Sequence, residues 1–338
     1  MLSCGADIND EDSEGGTALL WAVKKNLVDR ALFLLDRGGG FGKTMMWHRA
    51  RDFSLGIERC KITVVPPIRK DGDPPPPAYP RFVYINKSVS SKSLPLPLPP
   101  PPHSCKGCEC TNSNPCKTNP ACGCRKANWG AIAPYNASGK GILQVPMDVF
   151  ECGPACACNA KCPLRRSEFG ILKGLKVTWL GWGKGWGVYP QRGVSFVRGE
   201  FVASYVGEVV TFKEMEEREE RLPASDTSTY AFEVEPGNRE PFIVDSRRAG
   251  NVSRLFNHRC SEPTLTVRKI FRGSETGLAF FAAKNFADDE ELTFNYHGSS
   301  HFVKNKYPSQ KNAGGGGGVE EGRRVCCCGA PLCNGRFF

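Results

Sequence analysis

Short apolar or alternating runs bounded by glycine, proline or charge fall at 201–206, 230–234, 242–245, 264–271, 278–283 and 292–296. Each has the length and period of a strand, and together they predict a mainly β body with short helices. One helix is expected over 212–222, where Glu and Arg, both good helix formers, dominate. Its glutamates read as a solvated face. Near the start, Ala18, Leu19, Ala22, Ala31, Leu34 and Leu35, set between Gly16 and Gly38, predict two short helices joined by a turn.

Proline interrupts this pattern. Of 26 prolines in 338 residues, 13 lie between Pro66 and Pro102, so 66–104 is expected to be an extended, solvated linker outside any core. Binding an aromatic-lined groove is the second use of such a segment. The length suits two domains, or one with appendages. No stretch reaches the roughly 20 apolar residues that span a bilayer, so no membrane is expected. Asp7, Asp10, Glu11, Asp12 and Glu14 precede the first apolar run, which argues against a secretory signal and for a reducing compartment. A formal charge of +10 favours acidic partners such as nucleic acid or nucleosomes, and says nothing of the fold.

The cysteines carry more. Of 17, all but Cys4 and Cys60 fall in three places. The first holds Cys105, Cys108, Cys110, Cys116, Cys122, Cys124, Cys152, Cys156, Cys158 and Cys162; the second is Cys260; the third holds Cys326, Cys327, Cys328 and Cys333. A disulfide framework needs an oxidising compartment, whereas CxC pairs in a reducing one read as thiolates on a metal, and soft sulfur selects zinc. Without Cys105 the first group has nine members. Nine thiolates cannot fill three separate tetrahedral sites, but they suffice if three bridge and each ion takes two terminal and two shared sulfurs. Metal there would supply folding energy to a segment with little apolar content. Thirteen thiolates on four zinc ions would lower the formal charge to about +5, so the basic balance alone decides little.

The nine-cysteine block is followed by Gly183-Lys184-Gly185-Trp186-Gly187, Tyr205-Val206-Gly207-Glu208, Arg254-Leu255-Phe256-Asn257-His258-Arg259-Cys260 and Glu291-Leu292-Thr293-Phe294-Asn295-Tyr296. In that order these motifs resemble the SET-domain protein lysine methyltransferases, and more narrowly the pre-SET/SET/post-SET class that methylates lysine-nine of histone H3. Cys326, Cys328 and Cys333 match that class's post-SET motif, and the resemblance covers 105–338. It implies a SET β-fold with knot-like C-terminal threading, a pre-SET zinc cluster at 105–170 and a SET domain at 175–298. A flexible insertion at 299–324, glycine-rich at 314–318, and a post-SET zinc site at 325–338 complete it. S-adenosylmethionine in one cleft and a lysine channel from the opposite side are implied, with three zinc ions in the pre-SET and one in the post-SET. The implied partner is the histone H3 tail or nucleosome, and the implied location is the nucleus and chromosome. Residues 1–40 resemble part of an ankyrin repeat, a possible contact for chromatin-associated proteins; an ordinary helical hairpin is the alternative. One repeat cannot bury its own face, so either the start is truncated or the unit packs elsewhere.

Roles follow from the resemblance residue by residue. Glycines let backbone approach a ligand closely, and the cofactor is expected against Lys184, Gly185 and Trp186. Asn257 and His258 match the central cofactor motif, with Tyr230 and Arg254 as further pocket residues. Tyr296 is the principal catalytic residue, with Tyr230 and Phe294 beside it. The reaction needs a neutral amine, yet at an ordinary pKa near 10.4 only about a thousandth is neutral at pH 7.4, a deficit of roughly 4 kcal/mol. An apolar channel and a nearby sulfonium charge both lower that pKa, and a hydroxyl with backbone carbonyls can orient the lone pair. Phe294 lacks the hydroxyl that would hold a water near the amine, which is expected to favour di- and trimethylation. Three C-terminal thiolates lack a fourth ligand, and Cys260 can supply it. Its alternative is a buried apolar cysteine.

The chain departs from the family's pattern at Arg247-Arg248-Ala249, Arg259, Thr264 and Asn295. These leave the cofactor motif largely intact and fall around the substrate channel. Three functions stay open at this point: an active histone-lysine methyltransferase, a weak or inactive SET protein that binds chromatin, or a disulfide-linked extracellular scaffold with few free thiols and no zinc.

Overall fold

Thr17 caps the first helix: its Oγ1 accepts from Leu20 N, and α1 (Ala18–Lys24) buries Leu19, Leu20, Ala22 and Val23. In this computed structural model the described residues are 5–42, 44–66, 81–91, 107–111, 148–223, 230–235, 240–273, 275–296 and 324–333, with shorter stretches at 116, 118–128, 135 and 336–337. Helix α2 (Val28–Asp36) folds back on α1 and buries Ala31 between them. Leu19, Leu20 and Val23 belong to the same buried core as Phe53, Phe82 and Phe256, so the hairpin packs onto the body of the protein. Helix α3 (Met45–Arg51) and strand β1 (Ile62–Val65) continue that contact.

Residues 81–91 overturn the expected solvated linker over 66–104. Phe82, Val83 and Tyr84 are fully buried. Strand β2 (Val83–Tyr84) pairs in parallel with β11 (Ala249–Gly250), and β3 (Val89–Ser90) pairs with β8 (Glu208–Val210). Proline tracts on both sides gave the segment its extended character. The four apolar residues Phe82–Ile85 are nevertheless enough to fill a groove whose other side lies far along the chain, where no local periodicity reveals it. The remainder of the expected linker, Cys4, Cys105 and nearly all of the insertion at 299–324 lie outside the described residues.

Among the described residues the strands form six small sheets. In the central one, β4 (Val149–Glu151), β13 (Leu265–Arg272), β14 (Glu275–Ala282) and β7 (Phe201–Tyr205) lie in that order, with a bulge between Phe280 and Phe281. Strand β8 sits between β3 and β10 (Phe242–Asp245), and β9 (Ala231–Val234) closes that sheet. Strands β5 (Leu175–Trp179) and β6 (Trp186–Pro190) form a hairpin beside β1, and β12 (Asn257–His258) runs parallel to β15 (Thr293–Phe294). Helix α4 (Gly123–Ala127) carries Cys124, and β16 (Arg324–Val325) pairs with β17 (Arg336–Phe337). Each of the six expected strands is present within three residues of its expected bounds. Helix α5 (Phe212–Glu220), capped by Thr211, stops two residues short of its expected end. Among the described residues the protein is mainly β with short helices.

An ion-pair chain ties the N-terminal hairpin to this body. Arg248 bonds Asp36 at the end of α2 and reaches Glu208 at 3.5 Å; Arg218 of α5 then holds Glu208 at 3.0 Å and Asp245 at 2.9 Å. Arg248 thus has a partner of its own at a position where the family pattern differs.

Candidate functional site

The parallel pairing of β12 with β15 sets Asn257 opposite Thr293 and His258 opposite Phe294, and so brings the Asn-His motif against Tyr296. Tyr296 Oη donates to Phe256 O at 2.8 Å, and its ring lies 4.4 Å from that of Phe294. Burial holds the Tyr296 hydroxyl well above the usual phenol range, with Tyr230 and Tyr205 adding to the effect, so it stays a donor at neutral pH. Tyr205, Phe232, Phe280 and Phe294 continue the aromatic wall, with Tyr205 4.4 Å from Phe232 and Phe280 5.0 Å from Phe294. Tyr205 Oη donates to Tyr230 O at 2.6 Å, fixing the backbone where Tyr230 enters β9. Phe294 is 3% exposed, so its ring forms part of a wall with little access to water.

The loop between β5 and β6 contributes Lys184, Gly185 and Trp186. Gly185 takes φ +78°, a conformation glycine adopts without steric cost. A Cβ on Gly187 would lie 2.4 Å from Leu180 Cδ1 and 2.9 Å from Glu291 Oε1, so the loop closes tightly on that carboxylate. Glu291 Oε2 takes Lys184 Nζ at 2.7 Å, and Oε1 takes Asn257 Nδ2 at 2.7 Å. Asn257 Nδ2 also donates to Trp186 O at 3.2 Å. Arg254 is buried between two rings, its Cζ 4.3 Å from Phe82 and 4.2 Å from Tyr230. Among the described residues its Nε and Nη1 have no hydrogen-bond partner, and burial depresses its pKa, so an anionic group placed there would be favoured.

Among the described residues the cysteines assemble into four groups. Cys108, Cys110, Cys116 and Cys122 lie together, as do Cys108, Cys124, Cys152 and Cys156, and Cys108, Cys116, Cys152 and Cys158; within each group all sulfurs are within 4.8 Å of one another. Cys162 Sγ is 3.8 Å from Cys152 Sγ. Cys108, Cys116 and Cys152 recur between groups, as bridging ligands would, whereas Cys110, Cys122, Cys124, Cys156 and Cys158 each belong to one. Sulfur separations of 3.5 Å (Cys108 to Cys116), 3.6 Å (Cys116 to Cys152) and 3.4 Å (Cys124 to Cys156) approach the edge of about 3.8 Å that a tetrahedron with 2.3 Å metal–sulfur bonds requires. Burial pushes the Cys110 thiol up to about 12 and Cys116 further, so a divalent cation is what would hold them as thiolates. The donor set fits zinc.

The fourth group joins Cys260 to Cys326, Cys328 and Cys333 across the sequence; Cys260 Sγ is 3.7 Å from Cys326 Sγ and 3.6 Å from Cys333 Sγ. Cys327 is exposed, and a Cβ on Gly183 would lie 3.4 Å from its sulfur, so the C-terminal segment touches the Lys184 loop.

Sequence reasoning assigned no role to Glu291, Tyr205 or Arg165. The first two lie within quoted motifs, and an acid beside a β-rich run was the available signal for Glu291. Arg165 follows the last cysteine of the first cluster; its guanidinium donates to Gly153 O, Cys156 O and Cys158 O and meets Cys158 Sγ at 3.4 Å.

The departures make contacts of their own. Thr264 Oγ1 donates to Glu291 O at 2.7 Å and accepts from Thr293 N at 2.8 Å. Asn295 Nδ2 donates to Cys260 O at 3.0 Å, and Arg259 Nε to Ser261 O at 3.1 Å. Arg247 Cζ lies 5.8 Å from the centre of the Tyr230 ring.

Comparison with known proteins identifies the family. Residues 185–297 match the SET domain and 54–165 the Pre-SET motif. The chain is 34% identical over 194 residues to the histone-lysine N-methyltransferase SUV39H2 of Gallus gallus, covering 56% of this chain and 45% of that protein. It is 32% identical over 204 residues to the H3 lysine-9 specific histone-lysine N-methyltransferase of Schizosaccharomyces pombe, covering 58% and 41%. The chain thus spans about half the length of these relatives or less. Among solved structures it resembles the methyltransferase domain of human SETMAR, with TM-score 0.64, 27% identity and coverage of 84% and 96%. It also resembles KRYPTONITE in complex with mCHH DNA, H3(1-15) peptide and SAH, with TM-score 0.60, 25% identity and coverage of 89% and 56%.

Proposed function

The chain belongs to the pre-SET/SET proteins, and on that premise we propose that it is a histone-lysine N-methyltransferase. It transfers methyl from S-adenosylmethionine to the histone H3 tail, at the lysine in ninth place, with di- and trimethylation favoured. The observation that carries this reading is the parallel pairing of β12 with β15. It sets the Asn257-His258 motif, the Phe294 and Tyr296 rings and Cys260 around one point. The relatives' specificity for H3 lysine-9 supports the target, and the H3 peptide bound by KRYPTONITE supports the partner.

Lys184, Gly185, Trp186, Tyr230, Arg254, Asn257 and His258 hold the methyl donor, with the orphaned guanidinium nitrogens of Arg254 suited to its carboxylate. When bound, the donor supplies an electrophilic methyl on a sulfonium. The chain's own residues do the rest. The apolar wall of Phe232, Phe280 and Phe294 disfavours a charged lysine amine, lowering its pKa toward the neutral nucleophile. Tyr296, with its hydroxyl on Phe256 O, and Tyr205, with its hydroxyl on Tyr230 O, fix the carbonyls and ring faces that orient the lone pair. No nucleophilic side chain is needed.

Thirteen cysteines, the twelve of these groups together with Cys162 beside Cys152, hold four zinc ions, three shared through Cys108, Cys116 and Cys152 and one on Cys260, Cys326, Cys328 and Cys333. In this organisation 105–170 is the pre-SET cluster, 175–298 the SET domain, 299–324 a flexible insertion and 325–338 the post-SET segment. The hairpin within 1–40 derives from an ankyrin-like repeat and offers a contact for chromatin-associated proteins. The protein acts in the nucleus, on the chromosome.

The active reading is favoured over an inactive chromatin-binding one because Arg248, Arg259, Thr264 and Asn295 spend their polar groups on contacts away from the aromatic wall. The test is methyl transfer from labelled donor to an H3-tail peptide panel. Incorporation that disappears when the ninth residue is arginine supports the proposal; no incorporation into any histone by zinc-loaded protein overturns it.

A further inference from the structure

His258 has a second pair of contacts besides its place in the cofactor motif. Its Nδ1 accepts from the backbone N–H of Tyr296 at 3.1 Å, while its Nε2 lies 3.1 Å from Cys260 Sγ. A peptide N–H can only donate, so Nδ1 carries a lone pair and the ring proton of the neutral imidazole is on Nε2. That proton points at Cys260, one of the four thiolates of the C-terminal group. Asn295, next to Tyr296, holds Cys260 O at 3.0 Å, so the same two segments are laced twice.

We propose that His258 is a positioning residue that couples the C-terminal metal site to the catalytic tyrosine, and that a zinc ion on Cys260 fixes Tyr296 through this imidazole. An ion that draws Cys260, Cys326, Cys328 and Cys333 together would hold the Cys260 sulfur against Nε2 and so keep Nδ1 on the Tyr296 amide. Without the ion that sulfur is no longer fixed in place, and the ring loses the contact that seats it. The inference rests on the zinc reading given above, and it adds that the C-terminal ion acts on the reacting tyrosine as well as folding the tail.

The decisive measurement is a nitrogen-15 spectrum of the histidine rings in the full zinc-loaded chain, which has 5 histidines. The expected result is one ring protonated at Nε2, with Nδ1 as acceptor, whose signals and the Tyr296 amide signal both move when a chelator removes the ion on Cys260. A loaded chain in which His258 is protonated at Nδ1, or a Tyr296 amide that does not respond to removal of that ion, overturns the proposal. Two variants separate the arms. The amide oxygen of His258→Asn occupies the Nδ1 position but cannot reach Cys260, and the expected result is about 10-fold faster release of one zinc to a chromogenic chelator. His258→Gln reaches the sulfur but not the Tyr296 amide, and should retain zinc while kcat falls more than the KM for the methyl donor changes. Equal zinc release from His258→Asn and unaltered protein counts against the coupling. None of the spectroscopic or zinc readouts depends on turnover. A loaded chain that shows the coupling but transfers no methyl overturns the enzymatic reading alone.

Discussion

Asn257 and Lys184 lie on opposite oxygens of the Glu291 carboxylate, at 2.7 Å each, so one acid couples the Asn-His motif to the glycine-rich loop. Removing its charge should separate them. Glu291→Gln keeps an acceptor for Asn257 but turns an amide toward Lys184. At roughly 1.5–3 kcal/mol for a charge-assisted bond, affinity for S-adenosylhomocysteine should fall about 10- to 100-fold in calorimetric titration. A change under twofold would exclude Glu291 from cofactor binding.

Tyr296→Phe deletes only the hydroxyl that holds Phe256 O. The expected loss is about 100-fold in kcat, with a stability cost of about 1 kcal/mol from the buried carbonyl left without its donor. Single-turnover rates and a thermal melt measure the two separately. A large fall in melting temperature with little effect on rate would make Tyr296 structural.

Phe294→Tyr places a hydroxyl beside Tyr296, 4.4 Å away between ring centres. That group can retain a water where a methylated amine must turn, and the product should shift toward monomethyl-lysine. Mass spectrometry of the peptide product decides it; an unchanged distribution removes Phe294 from product control.

Metal analysis should find four zinc ions per chain. Chelation should proceed in two phases, because the C-terminal group shares no sulfur with the other three. Loss of its ion should abolish activity before the far-ultraviolet circular dichroism changes. A single phase would mean that the two sites report on one another.

Glu58 is buried against Tyr84 and Ile171, accepting from Ile171 N at 3.0 Å. Burial raises its pKa above the unfolded value. A raised carboxyl pKa favours the folded state below the unfolded pKa, and that contribution is lost as pH rises through the folded one. Stability should therefore decline from about pH 4 toward neutrality, and Glu58→Gln should flatten that slope in denaturant titrations across pH. An unchanged slope would mean that another group titrates.

Much of the site could be read from residue order because its chemistry is concentrated in short contiguous motifs: Asn257-His258, Phe294 and Tyr296, and the CxC pairs. The strands with clear alternation, such as 264–271, announced themselves in the same way. What escaped depends on distance. Phe82 stacks on Arg254, 172 positions later, and the short apolar run at 82–85 between two proline tracts does not by itself reveal that distant partner. Glu291 was visible as a residue but not as a bridge, since its two partners come from different loops. Thr264 looked like a lost asparagine; it is a lock on the backbone of Glu291 and Thr293.

The clasp of Asp36 on Arg248, backed by Leu19, Leu20 and Val23 in the common core, seats the hairpin on the body of the protein. A protein that grips the outer side of α2, where Phe33 is exposed, would therefore hold the body beneath it in a set orientation. Recruitment through that face would aim that body as well as tether it, and a graft that displaced the hairpin by one helical turn would turn it elsewhere.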